Sequence, residues 1–332
     1  MQSKDIKVDN QISKSNDVSL SFLKKFDWRN YIVYFAFIGV IIYFSVTLYD
    51  DGFVSADNMM NIIRQTAMIT IMAVAMTFVI SSAEIDLSIG SITALSSLFA
   101  ALAIQSGFGF IGGLAAGLAT GLAVGFINGI LITKVKIPSF LVTLGTMGII
   151  SGTAMWITST APVPILDQTF NTIFGAGKIG PIPIIFIWTF IVVVIGHILL
   201  RKTSFGRQTL ATGGNESAAK FSGINTAKIK LYAFMGTGLA AGFAGILYAG
   251  RMQAGRYTFG QGDEMSVIAA VILGGTALAG GTGTIIGTVV GSLMIGVINN
   301  GLIIMGLDVS QQMIIRGLII ILAVALGRKA IR

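Results

Sequence analysis

Residues 201–230 read RKTSFGRQTLATGGNESAAKFSGINTAKIK, a polar and basic interruption between two hydrophobic segments, approximately 182–200 and 229–250. Each flanking segment is long enough to cross ~30 Å of hydrocarbon. A connection between two neighbouring helices usually needs only about 2–8 residues. Thirty residues with their own short helix signal therefore imply that something outside the membrane docks there.

The rest of the chain agrees with a membrane setting. Of 332 residues, 54% are hydrophobic and 11% charged, against about 25% charged in soluble domains. The 42 glycines suit close helix packing in lipid, where small residues let backbones approach. The expectation is an all-α, polytopic membrane protein with about ten transmembrane helices. They fall near 29–49, 62–82, 88–105, 108–133, 139–158, 182–200, 229–250, 264–280, 283–304 and 310–327. Gly, Ser and Thr interrupt 88–105 and 264–280, so these two are expected to be broken or to cross only partly. Residues 29–327 then form one transmembrane domain, with a cytoplasmic tail at 1–28 and a short one at 328–332. The N-terminal stretch lacks the apolar core and cleavage site of a signal peptide.

No cysteine is present, which excludes disulfides and thiolate metal centres. A single histidine, His197, leaves no room for a multi-histidine site and reads as structural or interfacial. The net charge of +8 does not point to nucleic acid. Its Lys and Arg residues gather at the N-terminus, at Lys134 and Lys136, within 201–230 and at the C-terminus. With both termini cytoplasmic, all of those regions face inward, as the positive-inside rule requires.

An internal similarity supports the helix count. Residues 117–132 read GLATGLAVGFINGILI and residues 287–303 read GTVVGSLMIGVINNGLI. In a ten-helix chain the two copies run in opposite directions. Helices two to five and seven to ten then form inverted repeats, an arrangement common in transporters.

Within 201–230, Asn215 is placed as an N-cap, Glu216 in the first turn and Gly223 as a stop, with Gly213 and Gly214 making a tight turn ahead. Phe221 or Ile224 is available to anchor such a helix on the membrane surface. It is either a bare interfacial helix or one that fits a groove on a cytosolic protein. The stretch ESAAKFSGI at 216–224 resembles the E-A-A-x-x-x-G loop by which permease subunits of bacterial ABC importers contact their ATPases. EIDLSIGS at 84–91, ATGGNESAAKFSGIN at 211–225, EMSVIAAVILGGTALAGGTG at 264–283 and NNGL at 299–302 are similar to the branch serving ribose, xylose, galactose and related sugars. The resemblance runs from about residue 60 to 326. Ser82-Ala83-Glu84 departs from it, since relatives more often carry glycine or an uncharged residue before I-D-L-S.

That resemblance implies a transport subunit rather than an enzyme, in the bacterial plasma membrane, with a monosaccharide, ribose above all, as its cargo. It implies a second copy of the chain, a cytosolic ATP-binding subunit and an extracytoplasmic sugar-binding protein as partners. ATP and Mg belong to the partner subunit, with no cofactor or metal held by this chain. The sequence lacks G-x-x-x-x-G-K-[ST], and GGTG at 280–283 reads as a turn. The coupling residues are then Gly213, Gly214, Asn215, Glu216, Ala218, Ala219, Ser222 and Gly223.

Elsewhere the residues leave alternatives. Polar side chains at apolar positions, Asn128, Thr143, Thr146, Asn299, Asn300, Gln311 and Gln312, are candidates to line the path or to bond helices together. Arg316 either pairs with an acid such as Asp308 or faces the path. Arg64, Arg251 and Arg256 lie outside and either receive a binding protein or are solvated. Glu84 and Asp86 are a gate or a cap, with Asp86 as N-cap ahead of LSIG, and Asp263 and Glu264 stand at the outer start of helix eight. An ion-coupled carrier, a passive channel and a permease of the same branch for a nucleoside, autoinducer or branched amino acid are the competing functions.

Overall fold

The computed structural model describes residues 32–328, so the tail at 1–28 and all of the tail at 328–332 but its first residue lie outside the described residues. The chain runs α1 (Ile32–Thr47), α2 (Ala56–Ser81), α3 (Ile89–Ala103), α4 (Gly109–Thr133), α5 (Ser139–Thr158), β1 (Val163–Pro164), α6 (Gln168–Asn171), β2 (Lys178–Ile179), β3 (Ile182–Pro183) and α7 (Ile184–Lys202). It continues through α8 (Ser204–Gly214), α9 (Glu216–Phe221), α10 (Thr226–Met252), β4 (Ala254–Gly255), α11 (Asp263–Leu273), α12 (Ile285–Ile304) and α13 (Val309–Arg328). The strands are two-residue fragments: β1 pairs antiparallel with β4, and β2 with β3.

Local chemistry sets several helix starts. Ser55 caps α2 by accepting the Asn58 N–H, with Asp57 placed favourably in the first turn. Asn225 caps α10 in the same way through Lys228. Six helices among the described residues are long and apolar enough to cross a membrane, with Ile89–Thr133 taken as one through a kink at Gly107. The two segments with interrupted sequence are shorter, as expected. At 1.5 Å per residue, α3 spans about 22 Å and α11 only about 16 Å, roughly half the hydrocarbon thickness.

Packing follows a reciprocal pattern. α4 lies along α10, and α12 lies along α2. α3 sits against α4 and α10, and α11 against α12 and α2. The α4–α10 contact is backbone on backbone: a Cβ on Gly121 would collide with the Gly238 carbonyl, and one on Gly238 with that of Gly121. In α2–α12 the contact is polar, with Thr70 to Ser292 at 2.8 Å and Thr77 to Thr288 at 2.9 Å. The starts of α3 and α11 meet, since Gly90 backs onto Gly260 and Glu264. Met68, Ile71, Met72, Ile89, Ile92 and Leu98 fill the core. Phe126, Ile149, Trp156, Phe190 and Ile195 stand exposed on the outside, an apolar surface that suits lipid rather than water.

Candidate functional site

The segment read as a loop at 201–230 is mostly helical. Thr203 caps α8 by accepting the Gly206 N–H at 3.3 Å. Gly213 and Gly214 lie in the last turn of α8, not in a tight turn, which corrects the sequence reading. Glycine is needed at 213 for space: a Cβ there would collide with the Ser81 carbonyl at the end of α2 and lie 2.8 Å from the Gly281 nitrogen. Asn215, with φ −159°, separates the two helices, and its Oδ1 accepts the Ala218 N–H at 2.9 Å. α9 stops where Gly223 turns left-handed at φ +83° and the Ile224 N–H reaches back to Ala219 O at 3.0 Å. Ala219 is buried, while Ala218, Ser222 and Gly223 are exposed. Phe221 is 94% exposed and makes no anchor on the bundle.

A charge network holds α9 in place. Lys230 Nζ lies 2.7 Å from Glu216 Oε2 and 2.7 Å from Glu84 Oε1, and Lys220 Nζ lies 2.7 Å from Glu216 Oε1. Thr226 Oγ1 donates to Glu216 at 3.3 Å. Hydrogen bonds from Lys220 and Lys230 pull the Glu216 carboxyl down to about 2. Glu84 and Lys230 are each 13% exposed, so Glu84 serves as an ion-pair partner rather than a helix cap. The Gly281 N–H donates to Ser81 O at 3.0 Å. Gly280 and Gly281 turn left-handed at φ +83° and +81°, so GGTG is a turn, as expected, and it packs against Gly213–Gly214 and Ala83. α9 thus sits on a junction of α2, α8, α10 and the 274–284 turn.

Asp86 is also placed differently from the sequence reading. Ser88 occupies the N-cap of α3, and Asp86 is fully buried. Its Oδ1 accepts the Ser88 N–H and Oγ–H at 2.9 and 2.6 Å, and its Oδ2 accepts Thr237 Oγ1 at 3.0 Å. Asn128 Nδ2 donates to Ser88 Oγ at 3.0 Å, and Thr146 Oγ1 donates to Asn128 Oδ1 at 2.7 Å. The result is a polar chain across α3, α4, α5 and α10. Thr237 stands eleven residues along the 27-residue α10, about 17 Å from its start, so Asp86 lies level with the middle of that helix. The link to Ser88 spans two residues and is local, though the sequence reading had Asp86 as the cap itself; nothing local marked Thr237.

A second acidic group, Asp263 and Glu264, is half-buried at the start of α11. Tyr248 donates to Asp263 Oδ2 at 2.8 Å, and Glu264 adjoins Gly90. Arg316 approaches this group: its Nη1 lies 3.7 Å from where a Cβ on Gly262 would sit, and its charge acts on Asp263 and Glu264. Asp308 instead accepts the Ser310 hydroxyl and the Gln311 N–H at the start of α13, and Arg316 lies on the side of the α11 acids without a salt bridge to them among the described residues.

The remaining candidates scatter. Thr143 is buried and bonds Ser139 O within α5. Asn300 and Asn58 exchange two hydrogen bonds of 2.9 Å. Gln311 accepts from the Asp308 N–H, Gln312 donates to Leu307 O, and Asn299 is half-buried on α12. Only Asn128 and Thr146 come together. Arg251 Nη1 donates to the Arg64 carbonyl at 3.1 Å, bringing those two arginines side by side, while Arg256 is exposed and its backbone is tied to Ser97.

Comparison with known proteins agrees with this architecture. The chain is 42% identical over 294 residues to the ribose import permease protein RbsC of Bacillus subtilis (strain 168), covering 88% of this chain and 90% of that one. It is 38% identical over 290 residues to RbsC of Escherichia coli (strain K12), covering 86% and 89%. It is 36% identical over 312 residues to the L-arabinose transport system permease protein AraH of the same strain, covering 93% of each. No solved structure matches. Residues 58–324 match the model of the family described as branched-chain amino acid transport system / permease component, and the chain belongs to that family of multi-pass membrane permeases.

Proposed function

We propose that this chain is the membrane-spanning permease of a bacterial ABC importer that takes up ribose. The observation that carries the coupling role is α9, a six-residue helix presenting an almost fully exposed Phe221 on a base latched by Glu216, Lys230 and Glu84. A protruding apolar ring on a braced helix suits insertion into a groove of a cytosolic ATP-binding subunit, which supplies ATP and Mg. Gly213 and Gly214 brace the helix, Asn215 starts it, and Ala218, Ser222 and Gly223 form its outer face.

The proposal includes ten membrane segments in two inverted repeats, helices two to five (α2–α5) and seven to ten (α10–α13), supported by the reciprocal packing. Both termini face the cytoplasm of the plasma membrane. The exposed face of α5, where Gly145, Gly148 and Gly152 meet nothing within 4 Å, supports a homodimer with the sugar path between the copies. Thr146 then lines that path, held from behind by the buried Asn128, with Arg64, Arg251 and Arg256 receiving the sugar-binding protein. Ribose rests on the relatives' names, and the family description makes a branched amino acid the control.

The test is uptake into vesicles holding the chain, its ATPase and its binding protein, with labelled ribose, arabinose, galactose and leucine. Ribose uptake is expected, and leucine uptake in its place would overturn the cargo. Glu216→Gln and Gly223→Val should insert normally yet lower uptake about tenfold, in line with the roughly 1.5–3 kcal/mol of a charged hydrogen bond. Full uptake by both variants would remove the coupling role.

A further inference from the structure

Between α2, α4, α7 and α10 the bundle leaves a cavity of about 510 Å³. Val74, Phe78, Leu118, Ile195, Ala240 and Phe243 contribute to its walls, and its only polar side chain is that of Tyr232. It opens to the outside between Ile195 and Leu239, both substantially exposed. On a membrane protein that opening faces hydrocarbon, and no water is there to fill an apolar recess.

One end of the recess changes character. Phe205 and Tyr232 form its limit, and the same two residues form a wall of a second pocket of about 350 Å³. That pocket is lined by Ser204, Gln208, Asn225 and Lys228, with no acid among them. Phe78 stacks on Phe205 at 5.7 Å, and Phe205 contacts Tyr232 at 6.5 Å. Lys228 Nζ lies 5.7 Å from the centre of the Tyr232 ring. A tyrosine with its ring in the apolar half and a lysine beyond it is the pairing found where hydrocarbon meets headgroups.

We propose that this two-part groove binds an anionic phospholipid, with one acyl chain in the apolar recess and the headgroup phosphate against Lys228, Ser204 and Gln208. The charge and hydrogen-bond donors match a phosphate, and the wholly apolar lining beyond Tyr232 suits an acyl chain. A protein helix, about 10 Å across, would fill the recess with roughly a single turn and would leave Lys228 without an anion. Phe205 belongs to α8, which runs directly into α9, so the lipid also braces the base of that helix.

The experiment is native mass spectrometry of the full chain in mild detergent, titrated with phosphatidylglycerol or with phosphatidylcholine of the same acyl composition. The wild-type chain should retain one phosphatidylglycerol in preference to phosphatidylcholine. Gly236 lines the recess, and a Cβ there meets nothing within 4 Å. Gly236→Leu therefore fills the recess from α10, and Val192→Phe fills it from α7; both should lose retention of either lipid. Lys228→Gln, at an exposed position, should keep the chain contact but lose about fivefold in headgroup preference, the factor one lysine near a membrane surface contributes. Unchanged retention in both filled variants, or unchanged preference in Lys228→Gln, would overturn the proposal. So would a loss of dimer mass in the filled variants with lipid retained, which would give the groove to a second copy.

Discussion

Glu216 binds two lysines from different elements, Lys220 one turn along α9 and Lys230 on α10. Its folded carboxyl, at about 2, lies below the usual carboxylate value. The charged form is therefore the one the fold favours. Its contribution is complete above about pH 4.5 and is lost as pH falls through about 2. The protection of α9 amides, taken relative to the free-amide exchange rate at each pH, is expected to hold at about pH 5 and to fall towards about pH 2; a fall already between about pH 7 and 5 would contradict this. Asp86 offers a second measurement. Thr237→Val removes the hydrogen bond to Oδ2 in a fully buried setting, at a cost of about 1–3 kcal/mol. Thermal unfolding in detergent should show it, and an unchanged midpoint would mean Asp86 finds another donor. Asn215 and Gly223 were readable because their roles are set within four residues. Lys230 and Glu84 were not, because those partners come from other helices.

α9 was visible in the sequence as a cap, a turn and a stop. α8 was hidden behind its two terminal glycines, which are poor helix formers and look like a turn. The helix persists because its close approach to α2 leaves room for no larger residue at 213. Gly213→Ala is expected to cost about 1–3 kcal/mol through overpacking and to raise exchange across α8 and the end of α2 together. Faster exchange in α8 alone would show that the two are independent. α11 was marked as broken by its Gly and Thr interruptions, and its 11 residues agree. The partners of its acids were not readable. Tyr248 and Arg316, which approach those first-turn carboxylates, come from other helices, and no pattern of hydropathy reports that.

For the whole molecule, α4 on α10 is answered by α12 on α2, yet the glycines of the two similar stretches meet different partners: Gly121 and Gly125 back onto α10, whereas Gly287 and Gly291 back onto α11 and the residue that follows it. The proposed orientation can be tested directly because the chain contains no cysteine. Ser222→Cys on α9 should react with a membrane-impermeant maleimide only in inside-out vesicles. Thr160→Cys, beyond the far end of α5, should react only in right-side-out ones. Labelling of both from the same side would overturn the topology. The polar path candidates show where reading by residue type fails. Seven amides and hydroxyls looked alike in the sequence, yet most cap their own helix or join a neighbour, and only Asn128 and Thr146 share a network.

By itself the sequence determined what depends on composition and short range: the apolar helices, their interruptions, the charge bias of the connections and the capped helix at 216–221. Solvent partition and hydrogen bonds within one turn control those features. The tertiary structure alone decided which glycines touch another backbone, which acids are enclosed, and that Glu84, Lys230 and Glu216 form one latch. Those outcomes depend on groups far apart in the chain, brought together only when the helices pack.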